Sequence, residues 1–125
     1  MQRNSPPSTL TMECSDWAAS FADQCLSKGR SPKFYAFRPK FAPTACYLGE
    51  FTDRNGKFFY PQPVWQWHVA VELDGLLFDE VHPTGVKMEN YVAFFREIDL
   101  ITVTVHADLP SAVNSANGWI RPSKW

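Results

Sequence analysis

Hydrophobic and polar positions alternate most clearly in residues 63–81, where two runs rich in β-branched and aromatic side chains flank Asp74-Gly75. Asp and Gly both accept the positive φ angles of a two-residue type I′ turn, so the pattern predicts a tight β-hairpin. With Asp74 and Gly75 at the centre of the turn, Leu73 faces Leu76 and every further pair follows. The turn therefore sets the register of the whole hairpin.

This register brings one histidine near one carboxylate. Side chains alternate between the two faces of a strand, and Asp79 falls opposite Ala70 and diagonal to His68, a separation that an imidazole and a carboxylate can bridge. Glu80, opposite Val69, is directed to the other face, so Asp79 is the predicted partner of His68. The face opposite to His68 is predicted to be core and comprises Trp65, Trp67, Val69, Val71 and Leu73.

Helical periodicity appears in residues 11–28, where apolar side chains recur at intervals of three and four. The pattern predicts an amphipathic α-helix that ends at Gly29, a residue common just after helices. Cys14 then lies in the first turn. The predicted buried stripe consists of Cys14, Trp17, Ala18, Phe21, Ala22, Cys25 and Leu26.

The rest of the chain predicts further strands and one more helix. Residues 33–38 form a strand, and residues 44–51 and 57–60 form a second hairpin around Asp53-Arg54-Asn55-Gly56, because Asn-Gly is again turn chemistry. Residues 100–106 alternate in polarity and predict a half-buried strand. A short amphipathic helix between these strands is marked by Met88, Tyr91, Val92, Phe95 and Ile98.

The predicted organisation is a single domain over residues 1–125, of the α+β class. Residues 1–10 are polar and proline-containing, which predicts a flexible arm. Residues 107–125 predict an irregular tail, part of which packs back on the body through its Trp and Ile side chains.

Composition excludes several function classes. The formal net charge is −1, so nothing attracts the chain strongly to nucleic acid or to an anionic membrane. No apolar run approaches the ~20 residues that span a bilayer, and the N-terminal residues lack the apolar segment of a secretory signal. The three cysteines form neither a disulfide framework nor a paired zinc pattern. We therefore expect free thiols and a location in the cytoplasm or, after delivery, in the cytosol of a target cell.

Cys14, His68 and Asp79 together supply the parts of a nucleophilic site. The N-terminus of a helix stabilises a thiolate through its unpaired N–H groups and its dipole. An imidazole can accept the thiol proton, and a carboxylate can hold that imidazole in the useful tautomer. A zinc site from the same three residues is the weaker alternative, since paired-ligand spacing is missing. Cys25 is expected to be core, whereas Cys46 is either core or a competing nucleophile.

These residues carry a resemblance to a family of enzymes. Cys14 at the start of a helix, followed by Trp-His-Val-Ala-Val-Glu-Leu-Asp-Gly-Leu-Leu-Phe-Asp at 67–79, resembles the papain-like and transglutaminase-like cysteine enzymes. The chain is similar, more narrowly, to their compact bacterial and phage-encoded members, which include papain-fold toxins and glutamine deamidases. The resemblance covers roughly residues 11–85. It implies a papain-like α+β fold in which the helix bearing Cys14 packs on an antiparallel sheet bearing His68 and Asp79.

The resemblance also implies roles for the three residues. Cys14 would attack an amide carbonyl to form a thioester, His68 would move the proton, and Asp79 would orient His68. The chain departs from the family pattern because no glutamine stands a few residues before Cys14, and because the nearby tryptophan is Trp17 rather than the residue directly after the cysteine. The oxyanion hole would then depend on the Cys14 backbone N–H and a further donor.

The expected function is a glutamine deamidase or transamidase that acts on a protein substrate and requires no cofactor or metal. A peptidase of the same fold is the alternative within the class, although a short chain leaves little material for an extended peptide cleft. A non-catalytic papain-like binding module is the alternative from another class, which a buried Cys14 would favour, and a small structural protein is the third. Oligomeric state stays open.

The residues expected to contact substrate flank the predicted catalytic groups. Trp17 follows Cys14 on the helix, and Gln66 shares a strand face with His68. His82 directly follows the strand that bears Asp79, so its ring either lines the cleft or is exposed in a turn.

Overall fold

The fold is seen in a computed structural model, which describes residues 11–41, 47–61 and 65–118, with side chains from Cys14 onward. It is an α+β fold in which an N-terminal helix packs on an antiparallel sheet, and to that extent the expected fold class is confirmed. No helix within these ranges is both long enough and apolar enough to cross a membrane.

The elements follow one another along the chain as three helices, seven strands and a short 3-10 helix within the described ranges. Five strands form one sheet in the order β6-β5-β4-β1-β7, and β2 pairs with β3 in a separate hairpin. The bounds are α1 Thr11–Ser27, β1 Lys33–Pro39, β2 Phe51–Thr52, β3 Phe58–Phe59, β4 His68–Leu73, β5 Leu76–Phe78, β6 Val86–Lys87, α2 Met88–Val92, the 3-10 helix Ile98–Leu100, β7 Ile101–His106 and α3 Leu109–Asn117.

The β4–β5 hairpin has the predicted turn and register. Leu73 pairs with Leu76, and Asp74 and Gly75 have φ angles of 56° and 85°, as a type I′ turn requires. The pairing ends earlier than the sequence predicts, because β5 stops at Phe78. Asp79 and Glu80 therefore lie beyond the ladder, and the first residues of β4 extend past the end of β5.

Both faces of the sheet are buried, which differs from the prediction of one core face. Helices α1 and α3 cover one face, while α2 and the segment around β2 cover the other. Trp65 and Trp67 are both core as predicted, but they belong to opposite sides, because a bend at Gln66 interrupts the alternation before β4 begins. The α1 side contains Cys14, Ala18, Ala22, Phe34, Ala36, Trp67, Val69, Val71, Ala112 and Ala116. The other side contains Phe37, Leu48, Phe51, Trp65, Ala70, Leu77, Tyr91, Phe95 and Ile101.

Several element boundaries differ from the predicted ones. Leu26 was expected on the buried stripe of α1 but is 59% exposed, although its neighbour Cys25 is buried. The second helix is shorter than predicted, and Phe95 and Ile98 lie outside it. The middle hairpin forms, but residues 47–50 are not in a strand.

A third helix occupies part of the segment predicted to be an irregular tail. Asp108 caps α3 by accepting a hydrogen bond from the Ser111 N–H at 2.8 Å, and Pro110 stands in its first turn. Both are ordinary helix-start signals. The predicted arm at 1–10, Cys46 and the end of the tail at 119–125 lie outside the described residues.

Replacing Gly85 by Ala should destabilise the fold more than replacing Gly56 by Ala. Both glycines have positive φ, +94° and +83°, so both variants carry a backbone penalty of about 1 kcal/mol. A Cβ at Gly85 would also lie 2.7 Å from the Phe78 ring, which is held by stacking on Phe21, whereas Gly56 has open space. We expect an additional ~1–3 kcal/mol loss in the free energy of unfolding for Gly85→Ala, measured by urea denaturation. Equal losses in the two variants would contradict the close packing at Phe78.

Candidate active site

Cys14, His68 and Asp79 meet where β4 extends past the end of β5. Cys14 is the fourth residue of α1, His68 is the first residue of β4, and Asp79 directly follows β5. The Cys14 thiol interacts with the His68 ring and accepts a hydrogen bond from the Val69 backbone N–H. The first turn of the helix and the end of the hairpin thus bring together three residues that are far apart in sequence.

The two nitrogens of the His68 ring have different surroundings. Nε2 lies 3.1 Å from Asp79 Oδ2 and 3.0 Å from the Tyr91 hydroxyl. Nδ1 makes no hydrogen bond of standard geometry, although the thiol of Cys14 is close enough for each group to stabilise the charged form of the other. The indole of Trp65 stacks flat on the ring at a centroid distance of 4.2 Å. With Nε2 occupied, Nδ1 is the nitrogen that remains for a reaction with Cys14.

Asp79 is held by four hydrogen bonds. Oδ1 accepts from the backbone N–H groups of Val81 at 2.8 Å and His82 at 2.6 Å, and Oδ2 accepts from Tyr91 and His68. A carboxylate has about four acceptor positions, so its capacity is filled. The two backbone bonds also explain the end of β5, because a carboxylate that captures N–H groups two and three residues ahead folds the chain into a turn.

Burial and hydrogen bonding oppose each other in the pKa values of the site. Burial raises the pKa of Asp79, but hydrogen bonding and attraction to His68 outweigh it and leave that pKa below the usual value. Burial lowers the pKa of His68, but Glu80, Asp79 and Cys14 outweigh it and hold that pKa well above 6.5. For Cys14 burial prevails and raises the pKa above 9.0, despite the contrary influence of His68. Burial thus opposes ionisation of the thiol, whereas the neighbouring acidic groups favour the charged form of the ring.

Glu80 belongs to this cluster, contrary to the prediction that it points to the opposite face. Donor atoms of His68, Asp79 and Glu80 lie within 4.8 Å of one another. The prediction assumed that β5 continues through Glu80, whereas the chain turns at Asp79. These donors could hold a cation, but a cation would displace the bonds that Asp79 makes with His68 and Tyr91. The structure thus suits a hydrogen-bonded network better than a metal site.

The predicted substrate contacts lie in three different surroundings. Trp17 is partly exposed and stacks on Phe21, whose ring stacks in turn on Phe78. Gln66 is exposed. His82 is only 4% exposed, and its Nε2 donates to the Thr52 carbonyl at 2.7 Å. The prediction of an exposed His82 ring is therefore wrong, since the ring is buried and stacks on Phe94.

Sequence reasoning missed the hydroxyl of Tyr91. The residue was assigned to an apolar helix position, and it is indeed fully buried, but its hydroxyl reaches Asp79 and His68. The available signal was a tyrosine among otherwise apolar side chains, because a buried phenol requires a hydrogen-bond partner. Cys25 is buried as predicted.

The assembled groups are closed off from solvent. Cys14 is 1% exposed, and His68 and Asp79 are fully buried.

Comparison of the chain with family models, with curated proteins and with solved structures found no match.

Replacing Asp79 by Asn should lower the pKa of His68. Asparagine keeps the shape of the side chain but removes the negative charge that favours the imidazolium, so the pKa falls while Glu80 continues to raise it. The measurement is a pH titration of the His68 ring by NMR. Glu72→Gln is the matched control, because it removes a carboxylate from the far end of β4, where Glu72 bonds Gly75. An unchanged His68 pKa in Asp79→Asn would show that Asp79 does not stabilise the charged ring.

The same shift gives stability a defined dependence on pH. A folded-state pKa above 6.5 means that His68 contributes stability below about pH 6.5 and loses that contribution as pH rises through the folded-state value. Between about pH 6.5 and the folded-state pKa of His68, the free energy of unfolding should fall as pH rises. We expect this fall to be smaller in Asp79→Asn than in the unsubstituted protein.

Proposed function

We propose that the protein is a cysteine-dependent amide hydrolase or transferase that works through a thioester on Cys14. The observation that carries this proposal is the arrangement around the His68 ring: Nε2 is held by a buried carboxylate, Nδ1 makes no hydrogen bond of standard geometry to the described residues, and a thiol in the first turn of a helix interacts with the ring. A nucleophile, a base and a group that orients the base are the minimum set for covalent catalysis on an acyl group.

In the proposed reaction, the Cys14 sulfur attacks the carbonyl carbon of an amide and its proton passes to His68. His68 then gives that proton to the departing nitrogen as the carbon–nitrogen bond breaks, which leaves a thioester. Water or a primary amine attacks the thioester, loses a proton to His68 and releases the thiol. Asp79 stays ionised throughout and holds the ring.

Burial of Cys14 has a direct consequence for this mechanism. Substrate can reach the sulfur only after the structure opens around it. Burial is the largest cause of the raised Cys14 pKa, so exposure of the thiol to water or to a polar substrate removes that cause while His68 continues to favour the thiolate. Opening and activation of the nucleophile are thus the same event.

The substrate within this class is proposed to be the side-chain amide of a protein glutamine, with release of ammonia or exchange for an amine. A side-chain amide requires only a narrow channel to the thiol, which suits a chain of 125 residues. Peptide-bond cleavage by the same groups is the alternative, and it differs only in the amide that is attacked.

One observation favours a different class of function. Cys14 is 1% exposed and its pKa is raised, as expected for a structural thiol. A papain-like scaffold that binds a protein partner without turnover would need no access to the sulfur.

Replacing Cys14 by Ala should abolish the reaction, whereas replacing Cys25 by Ala should leave it intact. The two cysteines are buried on the same helix, so the pair controls for the loss of a core thiol. Casein and monodansylcadaverine serve as glutamine donor and amine acceptor, and mass spectrometry reads amine incorporation, deamidation and cleavage. We expect a loss on the order of 10³-fold or more for Cys14→Ala.

The products separate the candidate functions. Incorporation or deamidation supports the glutamine reaction, and new peptide ends support the peptidase. Equal activity in Cys14→Ala and the unsubstituted protein would overturn a cysteine mechanism. No turnover with any glutamine-containing protein tested would leave the binding module as the better account.

A further inference from the structure

Tyr91 lies at the centre of the candidate site although it belongs to a different segment from the three proposed catalytic residues. It is on α2 and is fully buried among the aromatic side chains of Phe37, Phe51 and Phe95. Its hydroxyl donates to Asp79 Oδ2 and lies 3.0 Å from His68 Nε2, so it can accept from that nitrogen. One hydroxyl therefore bonds both members of the His–Asp pair.

The two bonds decide which way the His68 ring faces. Rotation of an imidazole by a half turn about its Cβ–Cγ bond exchanges Nε2 with a carbon and Nδ1 with another carbon. In the rotated ring one C–H group would face Asp79 and Tyr91, and a second C–H group would take the place of Nδ1. The single Nε2–H group, shared between Asp79 and Tyr91, opposes that rotation, and the stacked indole of Trp65 restricts tilting of the ring.

Asp79 also depends on this hydroxyl. Two backbone N–H groups donate to Oδ1. Among the described residues, only His68 and Tyr91 donate to Oδ2. Without the Tyr91 hydroxyl, a buried carboxylate oxygen would lose one of its two donors, which is costly in a low-dielectric interior.

We propose that Tyr91 is a positioning residue for the Cys14 reaction, holding the His68 ring with Nδ1 on the side of the thiol by bonding Nε2 and Asp79 at once. This role depends on the function proposed above. Tyr91 acts through His68 and Asp79 and does not touch the substrate.

The chemistry of a phenol suits this role over the whole working range of pH. Burial and the neighbouring carboxylates of Asp79 and Glu80 raise the Tyr91 pKa well above 10. The hydroxyl therefore keeps its proton and remains a donor to Asp79 while His68 and Cys14 change their protonation states.

Tyr91→Phe tests the proposal because it removes the hydroxyl and keeps the ring. Tyr35→Phe is the matched control, since Tyr35 is a partly buried tyrosine that packs against the same cluster from β1. The first readout is the pair of ring-nitrogen signals of His68 in protein labelled with ¹⁵N-histidine. The second is the rate of Cys14 alkylation by iodoacetamide between about pH 5 and 9, read by peptide mapping.

We expect Tyr91→Phe to alter the His68 nitrogen signals and to slow Cys14 alkylation by about tenfold, with a changed pH profile. Tyr35→Phe should leave both readouts unchanged. A Tyr91→Phe protein that is less stable but has the same nitrogen signals and the same pH profile would overturn the proposal, because a purely structural tyrosine would behave in this way.

A measurement on the unsubstituted protein covers the case in which Tyr91→Phe fails to fold. A slowly exchanging Tyr91 hydroxyl proton that shows a nuclear Overhauser effect to the His68 Hε2 proton would support the proposal, and a rapidly exchanging one would overturn it. If Cys14 of the unsubstituted protein alkylates no faster than Cys25 at every pH, the proposed function fails. The His68 signals then report separately whether the hydroxyl fixes the ring.

Discussion

The filled hydrogen-bonding capacity of the Asp79 carboxylate is the constraint on which the site depends. Its two oxygens connect four segments: the end of β5, the turn through His82, the start of β4 at His68, and α2 at Tyr91. Transfer of an ionised carboxylate into the interior is costly unless each lone pair finds a donor. The chain therefore ends one strand, forms one turn and buries one tyrosine around a single charge.

The parts of the site that follow local rules could be predicted from sequence. Asp74-Gly75 fixes the hairpin register through turn geometry, and the spacing of Cys14, Ala18 and Ala22 fixes the helix face that packs on the sheet. The approach of Cys14 to His68 did not follow from these two elements and was expected only from the family resemblance. The identity of Asp79 as partner did follow, although the reason assumed a longer strand than the one that forms.

The remaining parts depend on side chains that redirect the backbone. The alternation of residues 76–81 does not indicate that Asp79 accepts hydrogen bonds from the backbone N–H groups of Val81 and His82. The surroundings of the Glu80 and His82 side chains were therefore predicted incorrectly. The Tyr91 hydroxyl was missed because a hydrophobic-periodicity argument treats tyrosine as an apolar residue and does not consider its hydroxyl group. Capping signals at Asp108 and Pro110 were present but were not recognised in a segment of irregular composition.

The backbone bonds to Asp79 impose an unusual pattern of tolerance to substitution on the turn that follows it. The donors are main-chain groups of Val81 and His82, so these bonds place no demand on the side chain at either position. Nineteen amino acids supply the required N–H, and proline alone lacks it. A substitution at position 81 could therefore change how the side chain packs against the core and still keep this bond. An alignment that scored side-chain identity there would record no trace of a contact on which the buried charge depends.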